Sequence, residues 1–194
     1  MHSLCNFNPT KCDKCCFEFI KNSKLLPSDL INNWLFLYEE YNSMLKKLQI
    51  DNSLNTKLYI VSSYILIPPI FLNSIRVLLL EYFEDIGISK EILIRGKWLP
   101  TNININKRLI ESLFITQKIQ FTSLPYHVDA LDFFTSDSNI LHRNKVAHDA
   151  NEALNHASRI TLNDTYFKFC SLAHCVVCLE SFIKDSRVNK EICN

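Results

Sequence analysis

Glycine is scarce in this chain, with only Gly87 and Gly96 among 194 residues. Turns between strands use glycine heavily, because it adopts positive φ angles without strain. A protein built from a sheet with many tight turns would normally need more glycine, so helices joined by short connections are favoured. The same scarcity excludes the dinucleotide-binding fingerprint and the P-loop, since both motifs need glycines at fixed short spacings.

Apolar residues recur at helical spacing in several segments and make up 47% of the chain, enough for a proper core. The pattern predicts helices over residues 28–50, 54–85, 107–118, 128–134 and 161–184. Residues 1–24 have no clear pattern, and residues 102–106 fit either a short strand or a loop. We therefore predict an all-α bundle of four or five main helices.

Two local signals refine these helices. Pro68 and Pro69 lie inside the segment 54–85, and we expect the helix to bend or break there because proline lacks the amide donor and clashes with the preceding turn. Thr161 and Asp164 resemble a capping box at the start of the last helix. We divide the chain into a cysteine-containing extension (1–27), a helical domain (28–187) and a tail (188–194).

Charge and cysteine content indicate the compartment. The net charge of +1 gives no global attraction to nucleic acid or membrane, so any polyanion must bind to a local patch. The chain has eight cysteines and shows no secretion signal. We therefore expect these cysteines to be reduced thiols in the cytoplasm. Residues 58–75 carry no charge but are barely long enough to span a bilayer and contain two prolines, so a buried helix is favoured over a membrane span.

The cysteines leave a metal site open as an alternative. Cys5, Cys12, Cys15 and Cys16 could together supply thiolates for zinc. No second Cys-x-x-Cys pair occurs at zinc-finger spacing, and adjacent cysteines rarely serve one tetrahedral ion. The stripe formed by Cys170, His174 and Cys178 is too extended for all three side chains to bind one ion. We predict no cofactor, and the N-terminal cysteines remain the leading metal candidates.

One segment, residues 141–149, concentrates potential chemistry. Arg143 offers a bidentate fork for a phosphate, Asn144 offers a donor and an acceptor, and His148 titrates near neutral pH. His142 and Lys145 could add local positive charge. Together these groups suit metal-free cleavage of an RNA phosphodiester, in which the histidine assists attack by the 2′-hydroxyl and the arginine stabilises the phosphoryl oxygens.

The spacing of this motif sets a geometric condition. Residues five apart lie about 140° apart around a regular helix, so Arg143 and His148 do not share a helical face. They converge only if the segment bends, ends there, or meets a second copy across a dimer axis. A chance Arg–His pair, in which the histidine merely caps a helix, is the structural alternative.

The sequence Arg143-Asn144-x-x-Ala147-His148, followed by a polar loop and a capped apolar helix, resembles the HEPN superfamily of helical ribonucleases. Residues 78–83, which include Glu81, are similar to the helix that carries an acidic residue in the RiboL-PSP-like branch of that superfamily. The resemblance covers about residues 54–185. It implies that Glu81 lies near the motif, pairing with Arg143 or orienting His148; a surface carboxylate is the alternative.

The resemblance also implies a function. HEPN proteins are typically homodimers with facing motifs, and many are metal-independent endoribonucleases in toxin–antitoxin or defence systems. RNA, a second copy and an antitoxin or other protein are therefore the expected partners. Some members are silenced by modification of a tyrosine two positions after the histidine, but Ala150 stands there. Two alternatives remain: a non-catalytic HEPN-like module that binds RNA, a nucleotide or a protein, and a cysteine-rich interaction protein linked by metal.

Overall fold

The computed structural model describes residues 9–47, 54–89, 91 and 125–193. These residues form seven helices and no strand, which confirms the all-α prediction. The helices are α1 (Pro9–Lys21), α2 (Ser28–Lys47), α3 (Leu54–Asp85), α4 (Pro125–Thr135), α5 (Asp137–His148), α6 (Ala150–Arg159) and α7 (Leu162–Cys193). The segments 102–106 and 107–118, for which the sequence predicts a strand or loop and a helix, lie outside the described residues.

Two long helices, α3 and α7, form the centre of the bundle. Their first turns meet at a cleft lined by Thr56 and Leu162, and near their far ends the Arg187 Nε donates to the Asp85 carboxylate at 2.6 Å. The two helices therefore run parallel. Apolar residues surround α7 on several sides, since Phe169, Cys170 and Val176 are all fully buried. A helix apolar all round belongs inside a protein, and here other helices cover it.

Helices α1 and α2 pack on this centre through aromatic rings. Phe17 stacks on Phe169 at 5.2 Å between ring centroids, and Trp34 stacks on the same ring at 5.3 Å. The Trp34 Nε1 donates to the Ser74 hydroxyl at 2.9 Å, which satisfies a polar group inside the core. Residues 1–24 have no clear sequence pattern, yet Pro9–Lys21 forms α1, which shares the core of the helices that follow.

Helices α4, α5 and α6 cover the remaining side of α3 and α7. Helix α4 runs antiparallel to α7: His127 contacts His174, and Asp129, a little further along α4, pairs with Lys168. This helix includes the predicted segment 128–134. Only Ser136 separates α4 from α5, because α5 begins at the next residue.

The two local signals have different outcomes. Helix α3 continues through Pro68 and Pro69 without interruption, so the predicted break does not occur. Buried side chains along its length, including Pro68, hold it in the bundle in spite of the missing amide donors. The capping box is confirmed: the Thr161 Oγ1 accepts a hydrogen bond from the Asp164 amide at 3.1 Å and donates to its carboxylate at 2.6 Å.

Two helices are long and apolar enough to cross a membrane by length and composition alone, α3 and the part Leu162–Val188 of α7. Their most apolar windows have mean hydropathies of 1.7 and 1.4, and 50% and 72% of those windows are buried inside the protein. Core helices of soluble proteins meet the same criterion. The absence of a membrane partner stays a prediction.

Candidate functional site

Helix α5 carries most of the motif on its exposed side. Val146 is 2% exposed and holds the helix to the core, whereas Asn144, Lys145 and His148 are exposed. Neighbouring residues on a helix point about 100° apart, so one buried valine leaves the side chains before and after it at the surface. Three predicted site residues therefore lie accessible on one short helix, with His148 as its last residue.

Arg143 has different surroundings from the rest of the motif. Its Nη1 donates to the Phe134 carbonyl oxygen at 3.2 Å, near the C-terminal end of α4. Carbonyl groups at a helix end lack helical donors, and a cation there also complements the helix dipole. Burial lowers the pKa of the half-buried guanidinium, and the nearby Tyr64 hydroxyl partly opposes that shift. One edge of this guanidinium is thus occupied by a hydrogen bond that links α5 to α4.

The chain turns sharply directly after His148. Asp149 is extended, its amide donates to the Lys145 carbonyl oxygen at 2.8 Å, and its carboxylate caps α6 by accepting from Asn151 N at 2.8 Å and Glu152 N at 3.3 Å. His148 therefore stands at a corner between two helices. Within the described residues no hydrogen bond or ion pair joins it to Arg143. In this chain the two side chains are therefore not bonded to each other.

His142 belongs to a cluster that spacing did not reveal. Its Nε2 lies 3.2 Å from the Nδ1 of His156 on α6, and the Tyr64 ring on α3 stacks on His156 at 4.1 Å between centroids. Burial, then His142, then Arg159 lower the pKa of His156 to about 4. Its Nε2 is buried with no hydrogen-bond partner. His142 thus connects α5 to α6 by contact with a neutral histidine.

Tyr64 supports the motif from beneath. Its hydroxyl donates to the Asn139 carbonyl oxygen in the first turn of α5 at 3.3 Å. Burial raises the pKa of this hydroxyl to about 12, so it remains a protonated donor at neutral pH. Neither Tyr64 nor His156 could be identified from the sequence, because their relation to His142 depends on the turn at Asp149. An aromatic residue and a histidine that meet across two helices have no fixed separation in the sequence by which they could be recognised.

Glu81 lies away from the motif of its own chain. Its carboxylate accepts a hydrogen bond from the Arg187 Nη2 at 3.1 Å, beside the contact that Arg187 makes with Asp85. Tyr64 lies below the motif, and Glu81, 17 positions further on, is about 25 Å away along α3. Within one chain, the structure supports the surface-carboxylate alternative for Glu81.

An apolar groove of about 480 Å³ lies beside His148, between the start of α3 and the corner of α5 and α6. Leu54, Leu58 and Leu154 line it and are 62%, 53% and 43% exposed. The groove also includes Lys57, Val61, Val146, Ala147, His148, Asp149, Ala150 and Ala153. Three large aliphatic side chains are thus exposed together beside His148.

The cysteine candidates do not form a metal site in the part of the chain that is described. Cys5 lies outside it, as does the side chain of Cys12. Cys15 is exposed and Cys16 is 4% exposed in the core, so these two neighbours face different surroundings. Among the described residues no group of three or more His, Cys, Asp or Glu side chains is arranged to hold a metal ion.

A second histidine pair, His127 and His174, is buried between α4 and α7. The His174 Nδ1 lies 3.0 Å from the His127 Nε2 and 3.6 Å from the Cys178 sulfur. Burial, reinforced by His127, lowers the pKa of His174 to about 4, and burial raises that of Cys178 to about 12. Both groups are therefore neutral at physiological pH, and the thiol is not an activated nucleophile.

Comparison of the chain with protein-family models, curated proteins and solved structures finds no match. The HEPN resemblance therefore depends on the residues of the motif and on the helical architecture around it.

Proposed function

We propose that the protein is a metal-independent endoribonuclease of HEPN type that acts as a homodimer, with the site at the seam between two copies. The observation that best supports this proposal is the position of His148, which lies at an exposed helix corner beside an apolar groove. Asn144 and Lys145 are accessible on the same helix. A second copy seated on this groove would bring the two α5 helices together, so that Arg143 of one protomer could face His148 of the other.

The chemistry follows from the residues. His148 accepts the proton of the RNA 2′-hydroxyl, whose oxygen then forms a bond to phosphorus while the bond to the 5′-oxygen breaks; the departing 5′-oxygen takes a proton from solvent water. Arg143, Asn144 and Lys145 donate to the phosphoryl oxygens as charge develops there. The products are a 2′,3′-cyclic phosphate and a 5′-hydroxyl. The proposal also includes a cytoplasmic location, a role as a toxin or defence effector, and control by an antitoxin.

A cleavage assay tests this proposal. Purified protein should cut single-stranded RNA in chelator and leave cyclic-phosphate ends. Arg143→Ala and His148→Ala should each lower the rate by at least about a hundredfold. Lys24→Ala, which removes an exposed charge near α1, should cut at the wild-type rate. Cleavage that survives both motif substitutions, or that stops in chelator, contradicts the assigned roles.

Mixing the two inactive variants tests whether the site is composite. If each site takes Arg143 from one protomer and His148 from the other, random mixing makes half of the dimers heterodimers, each with one complete site. The mixture should then recover about a quarter of wild-type activity. If each protomer supplies both groups to one site, no heterodimer site is complete and the mixture stays inactive.

The contact between Arg143 and Phe134 favours a second candidate function, a non-catalytic module that binds RNA, a nucleotide or a protein. An arginine committed to a helix end performs a structural task that needs no chemistry. Tight RNA binding with full-length RNA recovered after long incubation would support this candidate. The same assay therefore separates the two functions.

A further inference from the structure

A second cavity, of about 700 Å³, lies between the start of α3 and the connection from α6 to α7. We refer to it as the α6–α7 cleft. It is lined by Leu45, Thr56, Lys57, Ile60, Ala157, Ser158, Arg159, Ile160, Thr161, Leu162 and Asn163. Two of these residues are cations, and the described part of the lining includes no aspartate, glutamate or aromatic residue.

The two cations in the α6–α7 cleft are available to a ligand. Neither Lys57 nor Arg159 forms an ion pair with a carboxylate in the described part of the chain. Asp164 is outside the lining, and its carboxylate accepts the hydrogen bond from Thr161. The cleft therefore has a local positive charge in a protein whose net charge is only +1. A local patch of this kind is the condition for binding a polyanion.

The α6–α7 cleft is continuous in structure with the surroundings of His148. Lys57 lines both the cleft and the apolar groove. Helix α6 begins directly after the corner at His148 and ends at Arg159, and its ten residues span about 15 Å. A polymer whose reacting phosphate lies at His148 can therefore reach the cleft, whereas a small ligand in the cleft would not reach the motif.

The lining also selects the class of ligand. The described lining of the cleft offers no aromatic ring as a stacking platform for a base. Arginine and lysine suit a phosphate, and the Thr56 and Asn163 side chains can add polar contacts. We propose that the α6–α7 cleft binds a backbone phosphate of single-stranded RNA a few nucleotides away from the scissile one, through Lys57 and Arg159 and without regard to base. This inference rests on the proposed ribonuclease function.

Binding by the cleavage-deficient His148→Ala protein tests the cleft. The anisotropy of a fluorescein-labelled single-stranded RNA is measured in about 50 to 200 mM KCl. Adding Lys57→Ala with Arg159→Ala should weaken binding by about tenfold at the lowest salt. The slope of log affinity against log salt should become shallower by about 1.4, since each contact to single-stranded phosphate contributes about 0.7.

The charge-matched control is Lys21→Ala with Lys24→Ala, two exposed lysines at the end of α1 and just after it. This control should leave affinity and slope unchanged. An equal loss in the control, or no loss in the cleft variant, overturns the inference. The single variants Lys57→Gln and Arg159→Gln should each give about half of the slope change. They provide the test if the double variant fails to fold. Arg159 does not line the apolar groove, so Arg159→Gln also tests the cleft without altering the proposed dimer seam.

Two further arms separate the possible ligands and the two proposals. Inorganic phosphate at the concentration of RNA phosphates should not displace the RNA; full displacement indicates a site for free phosphate and overturns the inference. If the wild-type protein cuts RNA and the cleft variant binds RNA normally, the cleft proposal is wrong and the nuclease proposal stands. If RNA binding depends on the cleft but the wild-type protein never cuts RNA, the nuclease proposal is wrong and the cleft remains an RNA-binding site.

Discussion

At the motif, Arg143 and His148 are held in different ways, and this difference affects stability. Arg143 is half-buried and donates to the Phe134 carbonyl oxygen, whereas His148 is exposed at the end of α5. A hydrogen bond from a charged donor contributes about 1.5–3 kcal/mol, and exposed substitutions usually change stability by less than about 0.5 kcal/mol.

We therefore expect Arg143→Ala to lower the free energy of unfolding by about 1–2 kcal/mol, and His148→Ala to lower it by less than about 0.5 kcal/mol. Urea denaturation followed by circular dichroism measures both values. Equal losses for the two variants would show that the contact with Phe134 is not formed. Cleavage rates of Arg143→Ala should accordingly be compared at temperatures where the variant is fully folded.

Two buried histidines make stability depend on pH. The pKa values of His156 and His174 fall from 6.5 in the unfolded chain to about 4 in the folded protein. Between these values the unfolded chain binds more protons, so the free energy of unfolding rises with pH across this window and is lost as pH falls through it. Each histidine contributes on the order of 2–3 kcal/mol.

Guanidinium denaturation at pH 7 and near pH 4.5 checks this pH dependence. Wild type should be several kcal/mol less stable at the lower pH, since both histidines must charge when the chain unfolds. His174→Gln should show a smaller difference between the two pH values. Equal stability at both pH values would exclude buried neutral histidines.

The sequence predicted part of the candidate site. Spacing and residue type identified Arg143, Asn144 and His148, and the structure places them on one short helix. They could not show that Arg143 is anchored to α4 or that His142 contacts His156, because both contacts cross between helices. Glu81 was expected at the motif by resemblance, but the parallel packing of α3 and α7 places it beside Arg187.

At the scale of elements, the uninterrupted course of α3 through two prolines is the least expected feature. Pro69 is exposed and Pro68 is buried in the bundle. Each removes an amide donor from the helix, and proline in a helix interior is about 3 kcal/mol less favourable than alanine. The packing of α3 must offset this cost.

We expect Pro69→Ala to raise the free energy of unfolding by about 1–2 kcal/mol, after the greater entropy of the unfolded alanine chain is subtracted. Pro68→Ala is the matched variant and should give a smaller gain, because it also removes buried ring atoms. Thermal unfolding of the two variants gives both values. A loss of stability in Pro69→Ala would mean that the proline ring makes a contact worth more than the missing hydrogen bond.

Helices with strong caps or long apolar stretches were predictable, and α1 was not. Its first turns are polar, and its apolar residues Phe17 and Ile20 occupy only part of one face. Short helices of this kind are marginal alone and gain stability from tertiary packing. For α1 that packing comes from the ring of Phe169, which lies about 150 residues away in the chain and has no local signal.

At the scale of the whole molecule, the apolar groove and the divided motif point to the same arrangement. Leu54, Leu58 and Leu154 are exposed beside His148, and Arg143 does not meet His148 within one chain. A twofold dimer buries the same patch on both copies, so one groove of this kind is sufficient for a symmetric interface. The apolar interface and the proposed catalytic site would then lie at the same place in the dimer.

A charge placed in this groove tests that arrangement. Leu58→Asp should raise the dimer dissociation constant by at least about tenfold, because the seam would bury an unpaired carboxylate. Phe36→Asp is the matched control: Phe36 is 60% exposed on α2, comparable to the 53% of Leu58, and does not line the groove. Sedimentation equilibrium should find Leu58→Asp monomeric and Phe36→Asp dimeric. RNA cleavage per protomer should fall with the monomer fraction of Leu58→Asp, and full activity in a monomer would place the complete site within one chain.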